Sequence, residues 1–175
     1  LKKPLEDFSN KLSIQKDIES MSKTVNNYLI SHKDGLETSF DNAKTVGQIA
    51  EITEDNLITI YASITATIEN FGDTSYSFDE IFKNVPEKTK KLFSKNQKNF
   101  DKNVKQFSTD LVLNFGKAYK YTKDDISKSI EEVEKGEIDD ATQGEDVQPN
   151  ENLDNLKKDI INWFDLTLYK NTKRT

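Results

Sequence analysis

The side chains able to do chemistry are few, and their spacing limits what that chemistry could be. His32 is the only histidine, so a catalytic triad, an HExxH metal site or a histidine relay lacks its partners. Near the expected end of a first helix, it reads as a residue that complements the helix dipole. No cysteine is present, which removes disulfides, thiolate catalysis and thiolate-bound metals from this chain. The glycines Gly35, Gly47, Gly72, Gly116, Gly136 and Gly144 stand singly, so no glycine-rich phosphate loop forms. Carboxylates are dense from Glu131 to Asp146. The stretch from Asp139 to Asn150 places Gly144 like the sixth residue of a calcium loop, but it lacks the acidic ligands such a loop needs elsewhere. Nothing singles out two carboxylates as a glycosidase pair. The reading is of a chain with no catalytic residue, no cofactor and no metal, hence not an enzyme.

Binding chemistry has one candidate surface. Lys83, Lys88, Lys90, Lys91, Lys95, Lys98, Lys102 and Lys105 crowd one stretch with few acids between them. The seven from Lys88 onward are the candidate polyanion-binding residues; the plainer reading is the solvated face of an amphipathic helix. The net charge is −6 and Arg174 is the sole arginine, the residue suited to bidentate phosphate contacts, so nucleic acid is not the expected partner. Trp163 and Phe164 are adjacent large aromatics. They serve either as the anchor of a last helix or as a candidate partner contact. Phe93, Phe100, Phe107 and Phe115 recur at helical spacing and read as core.

The elements that must carry these residues are helices. From Leu36, apolar or small residues recur at Phe40, Ala43, Val46, Ala50, Thr53, Leu57, Ile60, Ile64, Ile68 and Phe71, always three or four apart. That spacing predicts one helix of about nine turns. The segment from Leu57 to Ile68 also alternates and is β-branched, which admits a strand, but the unbroken seam favours helix. Before it, a helix over about 4–33 has its stripe at Ile14, Ile18, Met21, Val25, Tyr28 and His32, with Gly35 expected to stop it and turn the chain back. Ser77 and Glu80 have capping-box spacing ahead of a short apolar turn through Phe82 and Val85. A third long helix is expected over about 86–121, and a fourth after a capping box at Thr122 and Asp125, ending at Gly136. Gly47 and Gly116 fall inside long helices, where they allow close approach or mark a kink. An acidic mobile loop follows at about 137–151, then a last helix to Tyr169 with Leu153, Leu156, Ile160, Trp163, Phe164 and Leu168 inward. The fold expected over 1–175 is one all-α domain, an elongated antiparallel bundle of four to five helices, three of them long.

Lysine with almost no arginine, a cysteine-free body, long Lys/Asn/Asp-rich helices and segments such as Asn96 to Lys102 together resemble the helical surface lipoproteins of Borrelia spirochaetes. That resemblance implies a lipidated cysteine upstream of Leu1, a tether, and a helical ectodomain on the outer face of the bacterial outer membrane. It implies a host protein or glycosaminoglycan as partner, membrane contact only through the upstream anchor, and leaves room for a homodimer. No motif aligns, so no binding residue is carried over. The functional expectation is a non-enzymatic lipoprotein ectodomain that binds a host protein or polyanion; the alternative is a structural or adaptor protein that pairs with a partner helix.

Overall fold

The computed structural model describes residues 2–70, 82–93, 99–136 and 150–170, without the side chains of 2, 3, 10–15, 17 and 18. All regular structure among them is helical: α1 (Lys2–Asp41), α2 (Val46–Asn70), α3 (Glu87–Leu92), α4 (Phe100–Gly116), α5 (Lys123–Glu134) and α6 (Glu151–Phe164), with a 3₁₀ turn after α4 (Lys117–Tyr119) and a π-helical turn after α6 (Asp165–Tyr169). The strand alternative for 57–68 is thereby overturned.

The first helix does not stop at Gly35. A glycine inside a helix costs about 1 kcal/mol against alanine, too little to end a helix that is otherwise packed, and no atom lies within 4 Å of where a Gly35 Cβ would be. The chain turns instead between Asp41 and Val46. Thr45 Oγ1 accepts from the Gln48 backbone N–H at 3.1 Å, and Gln48 Oε1 accepts from Thr45 N–H at 3.2 Å. This is a capping box, and Gln48 also takes the Lys44 N–H at 2.6 Å. The apolar seam continues across the turn because Ala43 and Val46 are both buried. Its steps of three and four therefore conceal the break.

Within α2 the seam holds as expected: Val46, Ala50, Thr53, Leu57, Ile60, Ile64 and Ile68 are all buried. Thr53 satisfies its buried hydroxyl on the Ile49 carbonyl at 2.7 Å. This helix is the hub, packing against α1, α4, α5 and α6. The expected third long helix is two helices. After Pro86, α3 ends at Phe93, and α4 starts only after Asn99. The break lets both flanking phenylalanines reach one ring: Tyr61 of α2 stacks on Phe100 at 4.2 Å and on Phe93 at 6.0 Å. Phe93 in turn stacks on Phe82 at 5.6 Å, and both are fully buried. On α4 the buried line is Val104, Ser108, Leu111, Val112 and Gly116.

Two expected punctuation marks are present. Thr122 and Asp125 form both halves of a capping box, at 3.1 and 2.9 Å, and Gly136 ends the α5 segment in the left-handed region at φ 71°. Asn150 caps α6 through the Leu153 N–H at 3.0 Å, so that helix begins at Glu151. The buried side chains of all six helices join one core cluster. In α1 that cluster starts at Met21; every described side chain from Pro4 to Ser20 is exposed. The Ser77–Glu80 capping pair and the acidic segment up to residue 149 lie outside the described residues.

Candidate functional site

The lysine surface is divided by the fold. Lys88 and Lys91 are exposed on α3, Lys90 is half-buried beside them, and Lys102 is exposed on α4, which packs against α3. Lys95 and Lys98 lie outside the described residues. Lys105 faces elsewhere: it forms an ion pair with Glu134 of α5. The Glu134 carboxylate, which accepts from its ammonium, holds the Lys105 proton more firmly than usual.

Both partners of that ion pair line a cleft of about 370 Å³ between α2, α4 and α5. Glu51, Glu54 and Asp55 line it from α2 and Lys105 from α4; Ala50, Ile130 and Val133 supply its apolar wall. The cleft exists because α5 crosses α2 at Gly47. A Cβ there would lie 2.4 Å from the carbonyl carbon and oxygen of Ser129, well inside contact distance. Backbone meets backbone at that point, and the Gly47 N–H donates to Ser129 Oγ at 2.8 Å. Burial, followed by the neighbouring Asp55 charge, raises the Glu54 pKa while Lys105 opposes; burial raises that of Asp55. Such a cleft draws cations electrostatically. It holds no nucleophile paired with a base. Among the described residues, no group of three or more His, Cys, Asp or Glu side chains is placed to hold a metal ion.

A second, wider groove of about 720 Å³ runs between α1 and α6. Its charges alternate in sign. Asp165 of the π turn takes Lys33 at 2.6 Å and Lys170 at 3.2 Å. The Lys33 hydrogen bond comes first among the causes that lower the Asp165 pKa. Burial lowers the Lys157 pKa, and the Lys157 ammonium lies 3.9 Å from Asp154. Above this groove His32 is not at a helix end, since α1 runs on to Asp41. Its Nδ1 instead meets the Tyr169 hydroxyl at 3.0 Å, a contact no spacing rule could reveal across 137 residues. Burial lowers the His32 pKa and raises that of Tyr169.

The aromatic pair of α6 separates into two roles. Phe164 is fully buried, with Phe40 of α1 at 6.4 Å. It has no surface to offer a partner in this fold, because the α6 stripe turns it into the core. Trp163 is half-buried, 5.7 Å from Phe107 and edge-on to Phe164 at 5.1 Å. The polar edge of α6 is tied down by Tyr119, whose hydroxyl donates to Asp159 at 2.5 Å. Comparison with models of known protein families, with curated proteins and with solved structures finds no match.

Proposed function

We propose that this chain is a non-catalytic helical binding module, the ectodomain of a bacterial surface lipoprotein, which takes a polyanion or an acidic protein surface on the lysines of α3 and α4. The observation that carries the reading is the exposure of Lys88, Lys91 and Lys102 on two adjoining helices, whereas Lys105 pairs with Glu134 at the acidic cleft. Exposed ammonium groups on neighbouring elements suit a diffuse polyanion, whose binding is salt-dependent and does not require arginine forks. A cell-surface setting rests on the lysine-rich, cysteine-free composition. Among the described residues no helix is long and apolar enough to cross a membrane, so an anchor would lie elsewhere.

Heparin chromatography tests the binding reading. Retention at low salt that is lost when Lys88, Lys91 and Lys102 all become Glu supports it; passage of the native chain through the column at low salt ends it. A lipobox cysteine in the sequence preceding Leu1 is expected, and an initiator methionine with no signal segment there would end the surface reading.

A second reading, pairing with a partner helix, is favoured by a different observation. On the first half of α1, Leu5 is 71% and Phe8 61% exposed, three residues apart on a helix face that no described element covers. Sedimentation analysis separates the two: association abolished by Leu5→Glu and Phe8→Glu, with heparin binding absent, selects the helix-pairing role.

A further inference from the structure

The fold brings the only histidine of the chain against its C-terminal helix. His32 is half-buried on α1, and Tyr169, 4% exposed, closes the π turn. With a neutral imidazole carrying its proton on Nε2, Nδ1 accepts the Tyr169 hydroxyl proton across 3.0 Å. A protonated ring carries N–H on both nitrogens and accepts at neither. The contact can then form only with Nδ1–H donating to the Tyr169 oxygen, so the buried hydroxyl must find another acceptor for its own proton, and the half-buried ring must hold a charge away from water.

Burial is the source of that cost. On α1, the Tyr28 ring lies 5.8 Å away and its hydroxyl reaches the Thr59 carbonyl of α2. Lys33 follows His32 directly. Across the contact stand Asp165, Tyr169 and Lys170 of the turn, while Glu37 lines the same groove as Lys33 and Asp165. Asp34 lies two residues beyond His32 on α1, and Asp165, on the turn that carries Tyr169, is already engaged by two ammonium groups. A third positive charge on His32 therefore meets a turn whose acid is already shared. π-helical turns often lie where a helix serves a function; this one, which packs Leu168 and Tyr169 against the core, ends the described part of the chain's last helix.

We propose that the His32–Tyr169 contact is a pH-sensitive latch: the neutral ring holds the C-terminal π turn against α1, and protonation in mildly acidic surroundings releases it. The device does not depend on what α3 and α4 bind. The sign is fixed by linkage. Burial depresses the proton affinity of His32 in the closed form, so the open form binds the proton better, and falling pH favours opening.

The test uses the full chain, taken from about pH 8 to about pH 4.5, the range in which histidine titrates. The single His32 ring is followed by NMR, and the amides of 165–170 by hydrogen exchange corrected for the intrinsic effect of pH. The ring is expected to titrate below its ordinary value of about 6.5. Protection of the turn is expected to fall as pH drops from the ordinary value to that midpoint and then level off, with exchange about tenfold faster for each pH unit separating the two. His32→Gln, uncharged throughout, keeps the turn protected across the range. Tyr169→Phe loosens the turn already at neutral pH and flattens the response. Protection that stays constant through the His32 titration overturns the latch, as does an unaltered pH response in His32→Gln. Should His32→Gln lose its helical circular dichroism, Tyr169→Phe decides alone: a pH response equal to that of the native chain overturns the proposal.

Discussion

Helices α5 and α6 are joined to the bundle by different means. At Gly47, α5 lies on α2 with backbone against backbone, and the only side chain needed at the crossing is the Ser129 hydroxyl. At α1, α6 is held by side-chain ends: a core ring, Phe164, then the ion pairs of Asp165 and the His32–Tyr169 hydrogen bond. At the first junction, the Gly47–Ser129 crossing point itself has no titrating side chain; the carboxylates of the cleft stand beside it. The second becomes progressively more polar and ionisable toward the chain's last described turn. A shape-based contact fails when volume is added, whereas a side-chain contact fails when a group is removed or its charge changes. Within one small bundle, this places sensitivity to bulk at the Gly47–Ser129 crossing and sensitivity to side-chain charge at the α1–α6 contact.

Phe164→Ala is expected to have the largest effect. Removing a fully buried ring costs about 3–5 kcal/mol, read as a lower urea midpoint, and should leave the α6 segment the first to lose exchange protection. Gly47→Ala comes next. The added methyl meets carbonyl atoms that cannot move without shifting α5, at a cost of about 1–3 kcal/mol, whereas the same substitution at Gly35, in open space, should stabilise by about 1 kcal/mol. Equal responses at the two glycines would show that the α2–α5 crossing is not backbone-tight. Thr122→Ala removes the capping box that starts α5 and should cost about 1 kcal/mol, with the slope of the urea transition unchanged.

The smallest effect belongs to the ion pairs of the groove. Asp165 has its pKa lowered by the hydrogen bond from Lys33. The stability this contributes is present above the ordinary carboxylate value of about 3.9 and is lost as pH falls through the lower folded value. Lys33→Met should reduce that acid dependence and change the neutral-pH urea midpoint little, since half-exposed pairs contribute about 0–1 kcal/mol. A thermal melt repeated at several acidic pH values distinguishes this from the His32 effect, which sets in near neutrality.

The helical class and most of the core were readable because burial follows a three-and-four rhythm; the α2 seam and the Thr122–Asp125 box are examples. The error at Gly35 came from treating a glycine as a stop. The true stop, Thr45 with Gln48, was present as capping-box spacing, but the apolar rhythm runs straight through it. The meeting of Phe93 and Phe100 on Tyr61 is a tertiary contact that their helical spacing along the chain does not announce. Site residues were less legible. The lysines could be found as a set, but nothing near Lys105 in the chain announces Glu134, 29 residues away. Gly47 was legible as a residue to watch, though its partner was not.

The contact between Gly47 and Ser129 also bears on genealogy. Two small residues 82 positions apart occupy space that larger ones could enter only by moving a helix. Much of the surrounding seam can exchange one aliphatic residue for another. Such a pair is constrained by volume where its aliphatic neighbours are constrained only by being apolar. Distant kin of this bundle are better sought by a glycine one residue into the second helix, matched to a small residue midway along the fifth, than by counting identities.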